Sequence, residues 1–122
     1  MHRPQLRLHT SEWVTADDST LNVALVYPMQ GPAGIFGPTC EACARLAAEE
    51  INKAGGVLGR PVEMVVEDAE RSAASASAAF GRLAARPEIV AFLAPERSTY
   101  VHALLADVVK AGRPVMIGGT DP

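Results

Sequence analysis

Residues 21–67, LNVALVYPMQGPAGIFGPTCEACARLAAEEINKAGGVLGRPVEMVVE, carry two short apolar runs on either side of an alanine-rich segment. The run at 21–27 is nearly continuous and rich in valine, which is typical of a strand buried on both faces of a parallel sheet. The run at 61–67, entered through a Gly-Arg-Pro turn, is predicted as the second strand. The segment between them consists of strong helix formers. Pro38 suits its first turn, which needs no backbone N–H, and Gly55 and Gly56 provide a stop signal. The stretch therefore predicts a strand–helix–strand unit with a right-handed crossover.

The residues that follow repeat the same alternation. Helices are predicted at 72–85 and 98–111, and strands at 89–93 and 114–117. This order predicts an α/β fold, a Rossmann-like parallel sheet of strand order 2-1-3-4 with helices on both faces. The apolar stripes expected on the three helices are Leu46, Ala47, Ile51 and Ala54; Ala76, Ala79, Phe80 and Leu83; and Val101, Leu104, Leu105 and Val108.

The composition is that of an ordinary globular domain, with 122 residues, 48% of them hydrophobic and 20% charged. A net charge of -3 gives no electrostatic footprint for nucleic acid. No apolar run approaches the ~20 residues that a membrane helix needs. Residues 1–20 are interpreted as a polar leader before a domain at 21–122, with a short strand at 5–8 and with Trp13 packed onto the domain. They contain no apolar stretch of signal-peptide length, which leaves a cytoplasmic location open.

Ligands of open parallel sheets bind in the crevice beyond the carboxyl ends of the strands. The loops at those ends are predicted at 28–37, 68–69, 94–99 and 118–121. Two of them run into helix N-termini, whose free N–H groups and positive dipole end attract carboxylates and other anions. The sequence therefore predicts a site for a small ligand that carries a carboxylate or an amide.

Several stretches resemble the Leu/Ile/Val-binding family of type I periplasmic binding proteins. They are NVALVYPMQGPAGIFG at 22–37, LAAEEINKAGGVLGRPVEMVVED at 46–68, FLAPERST at 92–99 and PVMIGGTDP at 114–122. The resemblance implies a partial N-terminal lobe of a two-lobe binding protein, in which the ligand lies between lobes joined by a hinge. It also implies capture of an amino acid, an amide or urea for an ABC-type importer, with no catalysis, cofactor or metal. Cytoplasmic amide-sensing regulators share this front end, so a ligand-sensing regulator is the alternative.

The resemblance implies a set of ligand contacts. Phe36 matches the aromatic residue of the first loop, which packs against the ligand, and Ser98 matches the serine that takes the ligand carboxylate, with Thr99 beside it. Gly118 and Thr120 match the small residue and the threonine after the fourth strand. For Ser98 the plain alternative is helix N-capping, a common use of serine that is compatible with ligand contact.

The chain also departs from the family pattern around these positions. Ala94 stands where glycine is usual, Glu96 and Arg97 place charges where small or apolar residues are common, and Cys43 replaces a helix glycine. These departures leave the fold unaffected and the identity of the ligand open. The implied partners are an ABC permease and the second lobe of the same protein, and an unpaired fourth strand would favour self-association.

Other motifs are given a structural interpretation. Cys40 and Cys43 form a CxxC, but the three histidines do not complete a zinc site, so redox or metal chemistry is not favoured. The glycines at 31, 34 and 37 have the wrong spacing for a dinucleotide fingerprint, which makes a dinucleotide-binding enzyme the least favoured reading. Glu67, Asp68 and Glu70 form an acidic cluster that could bind a metal or an amino group, although a solvated turn is the preferred interpretation.

Overall fold

A computed structural model describes residues 20–32, 34–94 and 98–118. The elements follow in the order β1 (Leu21–Tyr27), α1 (Phe36–Lys53), β2 (Val62–Asp68), α2 (Ala73–Ala84), β3 (Ile89–Ala94), α3 (Ser98–Ala111) and β4 (Val115–Ile117). Strand and helix alternate as predicted, and α1 begins at Phe36, two residues before the Pro38 expected in its first turn. The strand expected at 5–8 and Trp13 lie outside the described residues.

The strands form a parallel sheet of order β2-β1-β3-β4, which confirms the predicted topology. The register of β1 with β2 runs from Leu21 opposite Val62 to Tyr27 opposite Asp68. Because all four strands are parallel, their carboxyl ends lie at one edge of the sheet, which we call the carboxyl edge.

Helices α2 and α3 cover one face of the sheet. The stripe predicted on α2 is confirmed, since Ala76, Ala79, Phe80 and Leu83 are all fully buried. The rings of Phe80 and Phe92 lie 4.8 Å apart, a distance at which tilted aromatic pairs attract each other. The guanidinium of Arg113 lies 5.0 Å from the centre of the Phe92 ring and closes this core at the amino end of β3.

Helix α1 covers the other face over β1 and β2, but not with the predicted stripe. Ala48 is buried and Ala44 packs beside it against Leu25 and Met64. Leu46 is 57% exposed, and Ile51, Ala47 and Ala54 are also on the outer side. The prediction was wrong because small side chains let the helix lie close to the sheet, so alanines rather than the larger residues make the contact.

The stripe predicted on α3 is only partly correct. Leu104 is 1% exposed, and Val101 and Val108 are half-buried. Leu105, however, is 46% exposed. The buried stripe of α3 is therefore narrower than its sequence suggested, because α3 packs mainly against α2 at the border of the core.

Candidate ligand-binding site

The carboxyl edge brings together the starts of two helices and the end of β4. The loop after β1 leads into α1 at Phe36, the segment after β3 leads into α3 at Ser98, and Gly118 directly follows β4. Since β3 lies between β1 and β4, these chain segments are neighbours although they are far apart in sequence. Four of the predicted site residues, Phe36, Ser98, Thr99 and Gly118, are on this edge, and Thr120 lies outside the described residues.

Close contacts of glycine hold the loop after β1 in place. The N–H of Gly34 donates to the carbonyl oxygen of Gly31 at 2.9 Å, and a Cβ on Gly34 would lie 2.6 Å from the carbonyl carbon of Gln30. A Cβ on Gly37 would overlap the carbonyl oxygen of Pro28 and approach the Met29 sulfur to 2.7 Å. The first turn of α1 therefore rests directly on the backbone that leaves β1, which fixes the position of Phe36 beside it.

Phe36 is the first residue of α1 rather than a residue of the loop, and it is 44% exposed. The start of α1 has no side-chain cap and no acidic residue in its first turn, and Pro38 has no N–H to donate. The first N–H groups of a helix have no partner within the helix, so this end is electropositive. The exposure of Phe36 is compatible with contact to a ligand, and that contact stays a prediction.

Ser98 is half-buried and is the first helical residue of α3, and Thr99 beside it is exposed. The residues directly before Ser98 lie outside the described ranges, so N-capping by Ser98 stays a prediction. In the first turn, its hydroxyl is at the positive end of the α3 dipole.

Tyr27 is a residue of this edge that the sequence analysis did not select. It is the last residue of β1 and packs on the α1 face of the sheet. Its hydroxyl oxygen lies 3.2 Å from the place that a Cβ on Gly118 would occupy. The side chain therefore reaches across the end of β3 to the end of β4, where Gly118 has no side chain in its way. A single aromatic residue at the carboxyl end of an aliphatic strand is the signal that could have identified it.

The acidic cluster at the end of β2 has a structural role. Asp68 accepts hydrogen bonds from the Met29 N–H at 2.9 Å, the Gln30 side-chain amide at 3.2 Å and the Glu70 N–H at 2.8 Å. Glu67 pairs with Arg82 at 2.6 Å. Among the described residues, no group of three metal-ligating side chains could hold an ion.

Cys40 is half-buried, Cys43 is exposed, and neither forms a disulfide.

The described residues line at least two open cavities along the sheet. The larger, about 500 Å³, is a groove between α1 and β2 that is lined by Arg45, Asn52, Glu63 and Met64 among others, away from the carboxyl edge. The smaller, about 280 Å³, lies at the carboxyl edge between Gln30, Glu70, Arg71, Ser72 and Ser75. The polar residues around this cavity continue the carboxyl edge past β2 to the start of α2.

None of the helices in the described ranges is long and apolar enough to cross a membrane.

The family model described as periplasmic binding protein matches residues 20–122, which is most of the chain. The chain belongs to the periplasmic binding protein family. Over 49 residues this periplasmic binding protein is 45% identical to the leucine-, isoleucine-, valine-, threonine- and alanine-binding protein of Pseudomonas aeruginosa. That match covers 40% of this chain and 13% of the relative.

Solved structures of similar proteins agree with this assignment. The substrate-binding protein LivJ of a branched-chain amino acid transporter from Streptococcus pneumoniae, in complex with isoleucine, matches with a TM-score of 0.78 and 27% identity. A putative branched-chain amino acid ABC transporter protein from Rhodospirillum rubrum matches with a TM-score of 0.77 and 28% identity. The matches cover 85% and 84% of this chain but 30% of each solved chain, so this periplasmic binding protein sequence spans about a third of their length.

Proposed function

We propose that this chain captures a small polar solute for an ABC-type importer and carries out no catalysis. The solute is an amino acid, an amide or urea, and an amino acid is favoured. The observation that supports this proposal most strongly is the arrangement of the carboxyl edge, where Phe36, Ser98, Thr99 and Gly118 follow neighbouring parallel strands in a chain of this family. The names of the relatives, which refer to branched-chain amino acids, point to the same ligand class.

The chemistry of the edge suits an amino acid. The electropositive start of α1 and the Ser98 hydroxyl in the first turn of α3 provide donors for a carboxylate. Phe36 and Ile35, which are 44% and 71% exposed, offer apolar surface for a side chain next to those donors. Nothing in this proposal needs a metal or a cofactor, because hydrogen bonds and apolar contact suffice to hold a small ligand.

In this proposal residues 21–122 form part of the N-terminal lobe and contribute one side of the ligand site. The chain spans 30% of the solved relative from Streptococcus pneumoniae, so the ligand's other contacts would come from the second lobe of the full-length protein. An ABC permease would recognise the closed form of the two lobes. Met116 and Ile117 on β4 are exposed, and we expect them to favour self-association of residues 1–122 alone.

Calorimetric titration of the full-length protein tests the proposed function. The panel contains isoleucine, leucine, valine, threonine, alanine, acetamide and urea, with NAD as the competing ligand class. We expect saturable binding of at least one amino acid or amide and no binding of NAD. Binding of NAD alone, or of no member of the panel, would contradict the proposal.

A further inference from the structure

We propose that Asp68 is a positioning residue for the ligand site, which acts by holding the loop after β1 without touching the ligand. The inference rests on the proposed function and assigns a role in it to a side chain on β2. Asp68 is the last residue of β2 and is half-buried, and the loop it holds is 39 residues away in sequence.

Both carboxylate oxygens of Asp68 are engaged. Oδ1 accepts from two backbone N–H groups, that of Met29 at 2.9 Å and that of Glu70 at 2.8 Å. Oδ2 accepts from the side-chain amide of Gln30 at 3.2 Å. One carboxylate therefore ties the loop after β1 to the turn after β2, through charge-assisted hydrogen bonds that are stronger than neutral ones.

The turn after β2 is hydrogen-bonded to β1 and to the start of α2, so the position of Asp68 is itself fixed. The N–H of Ala69 donates to the Tyr27 carbonyl oxygen at 3.0 Å, and the Ser75 hydroxyl lies 2.8 Å from the Ala69 carbonyl oxygen. Ser75 also forms a capping box with Ser72 at the start of α2. Glu70, held by Asp68, has a left-handed backbone with φ of 56°, a conformation unusual for a non-glycine residue.

The strand order places Asp68 on the outer side of the loop. β2 lies on one side of β1, whereas β3 and β4, which lead to Ser98 and Gly118, lie on the other. Asp68 therefore holds the loop from the side opposite the candidate site. Glycines at 31 and 34 make this segment costly to order, so fixing it before the ligand arrives removes a cost that binding would otherwise carry.

The test compares substitutions that differ in the hydrogen bonds they keep. Asp68→Ala removes all three, and Asp68→Glu keeps the charge but moves the carboxylate by one methylene. Asp68→Asn keeps one oxygen for Met29 and Glu70, and the Gln30 amide can turn its own oxygen towards the new amino group. The control is Asn52→Ala, which removes two hydrogen bonds to Val62 at the opposite, amino end of β2.

The measurements are the affinity of the full-length protein for isoleucine, or for the tightest ligand of the panel, and the hydrogen exchange of amides 28–37. We expect Asp68→Ala and Asp68→Glu to weaken binding at least tenfold and to speed exchange in this segment. Asp68→Asn and Asn52→Ala should bind within about threefold of the wild type, even where the melting temperature falls. If Asp68→Ala does not fold, Asp68→Glu against Asp68→Asn decides.

The outcomes separate this inference from the proposed function. A wild type that binds, together with an Asp68→Ala or Asp68→Glu protein that binds equally well, overturns the role of Asp68 and leaves the proposed function standing. Equal loss of affinity in Asn52→Ala would show that any destabilisation weakens binding, and would also overturn it. A wild type that binds no member of the panel overturns the proposed function and this inference with it.

Discussion

The side-chain amide of Asn52 in α1 pairs with both backbone groups of Val62 in β2. Its Nδ2 donates to the Val62 carbonyl oxygen at 2.9 Å, and the Val62 N–H donates to its Oδ1 at 2.6 Å. β2 is the outermost of the described strands on its side of the sheet, and the N–H of Leu21 donates to the Pro61 carbonyl oxygen, so the backbone groups of Val62 point away from β1. The Asn52 amide therefore lies where the peptide group of a further strand would pair with β2. It prevents strand pairing at that point along the outer side of β2.

Asn52→Ala is expected to lower the free energy of unfolding by about 1–3 kcal/mol, because two exposed hydrogen bonds contribute a net ~0.5–1.5 kcal/mol each. Asn52→Asp keeps the acceptor for the Val62 N–H but turns its second carboxylate oxygen towards the Val62 carbonyl oxygen, in the last turn of α1, so its loss of stability should be at least as large. Urea denaturation of the three proteins measures the difference. Unchanged stability of Asn52→Ala would show that the pairing contributes nothing.

Gly37→Ala should destabilise the protein, because the new methyl group would overlap the Pro28 carbonyl oxygen. Overpacking of this kind costs ~1–3 kcal/mol. The matched control is Gly81→Ala in α2, where a Cβ meets nothing within 4 Å. Since alanine is favoured over glycine in a helix by ~0.5–1 kcal/mol, Gly81→Ala should stabilise the protein. Thermal denaturation measures both, and a stabilising Gly37→Ala would mean that α1 does not rest on Pro28.

Phe36→Ala should weaken ligand binding while leaving stability nearly unchanged, because this side chain is 44% exposed at the carboxyl edge. Phe80→Ala is the contrasting variant. Phe80 is fully buried, so its loss should cost ~3–5 kcal/mol of stability. Calorimetry for affinity and urea denaturation for stability separate the two effects. A large stability loss in Phe36→Ala with unchanged affinity would make Phe36 a packing residue.

The fold could be predicted from sequence wherever large apolar residues mark the buried side. The stripe on α2 was correct because Phe80 and Leu83 fill the space between helix and sheet. On α1 the same reasoning failed, because Ala44 and Ala48 make the contact and the larger Leu46 faces outwards. Hydrophobicity alone does not distinguish an alanine that permits close packing from one that is merely a helix former.

The candidate site could be predicted only in part, for a different reason. The strand alternation locates the carboxyl edge, and the family resemblance selects residues on it. The hydrogen bonds of Asp68 to Met29 and the approach of Tyr27 to Gly118 join residues that are far apart in sequence. Their partners are set by the strand order and by the path of the loop, which no local pattern of residues specifies.

The most direct test of the central claim, that the start of α3 at the carboxyl edge receives the ligand carboxylate, is calorimetric titration of the Ser98→Asp protein with isoleucine. An aspartate in the first turn of α3 is compatible with the helix dipole, so the helix should survive, while its charge repels a carboxylate. The control is Ser72→Asp, which places the same charge at the cap of α2, outside the predicted contacts, and keeps a capping oxygen. We predict that full-length Ser98→Asp loses binding, whereas Ser72→Asp binds like the wild type. Undiminished affinity of a folded Ser98→Asp protein would contradict the claim.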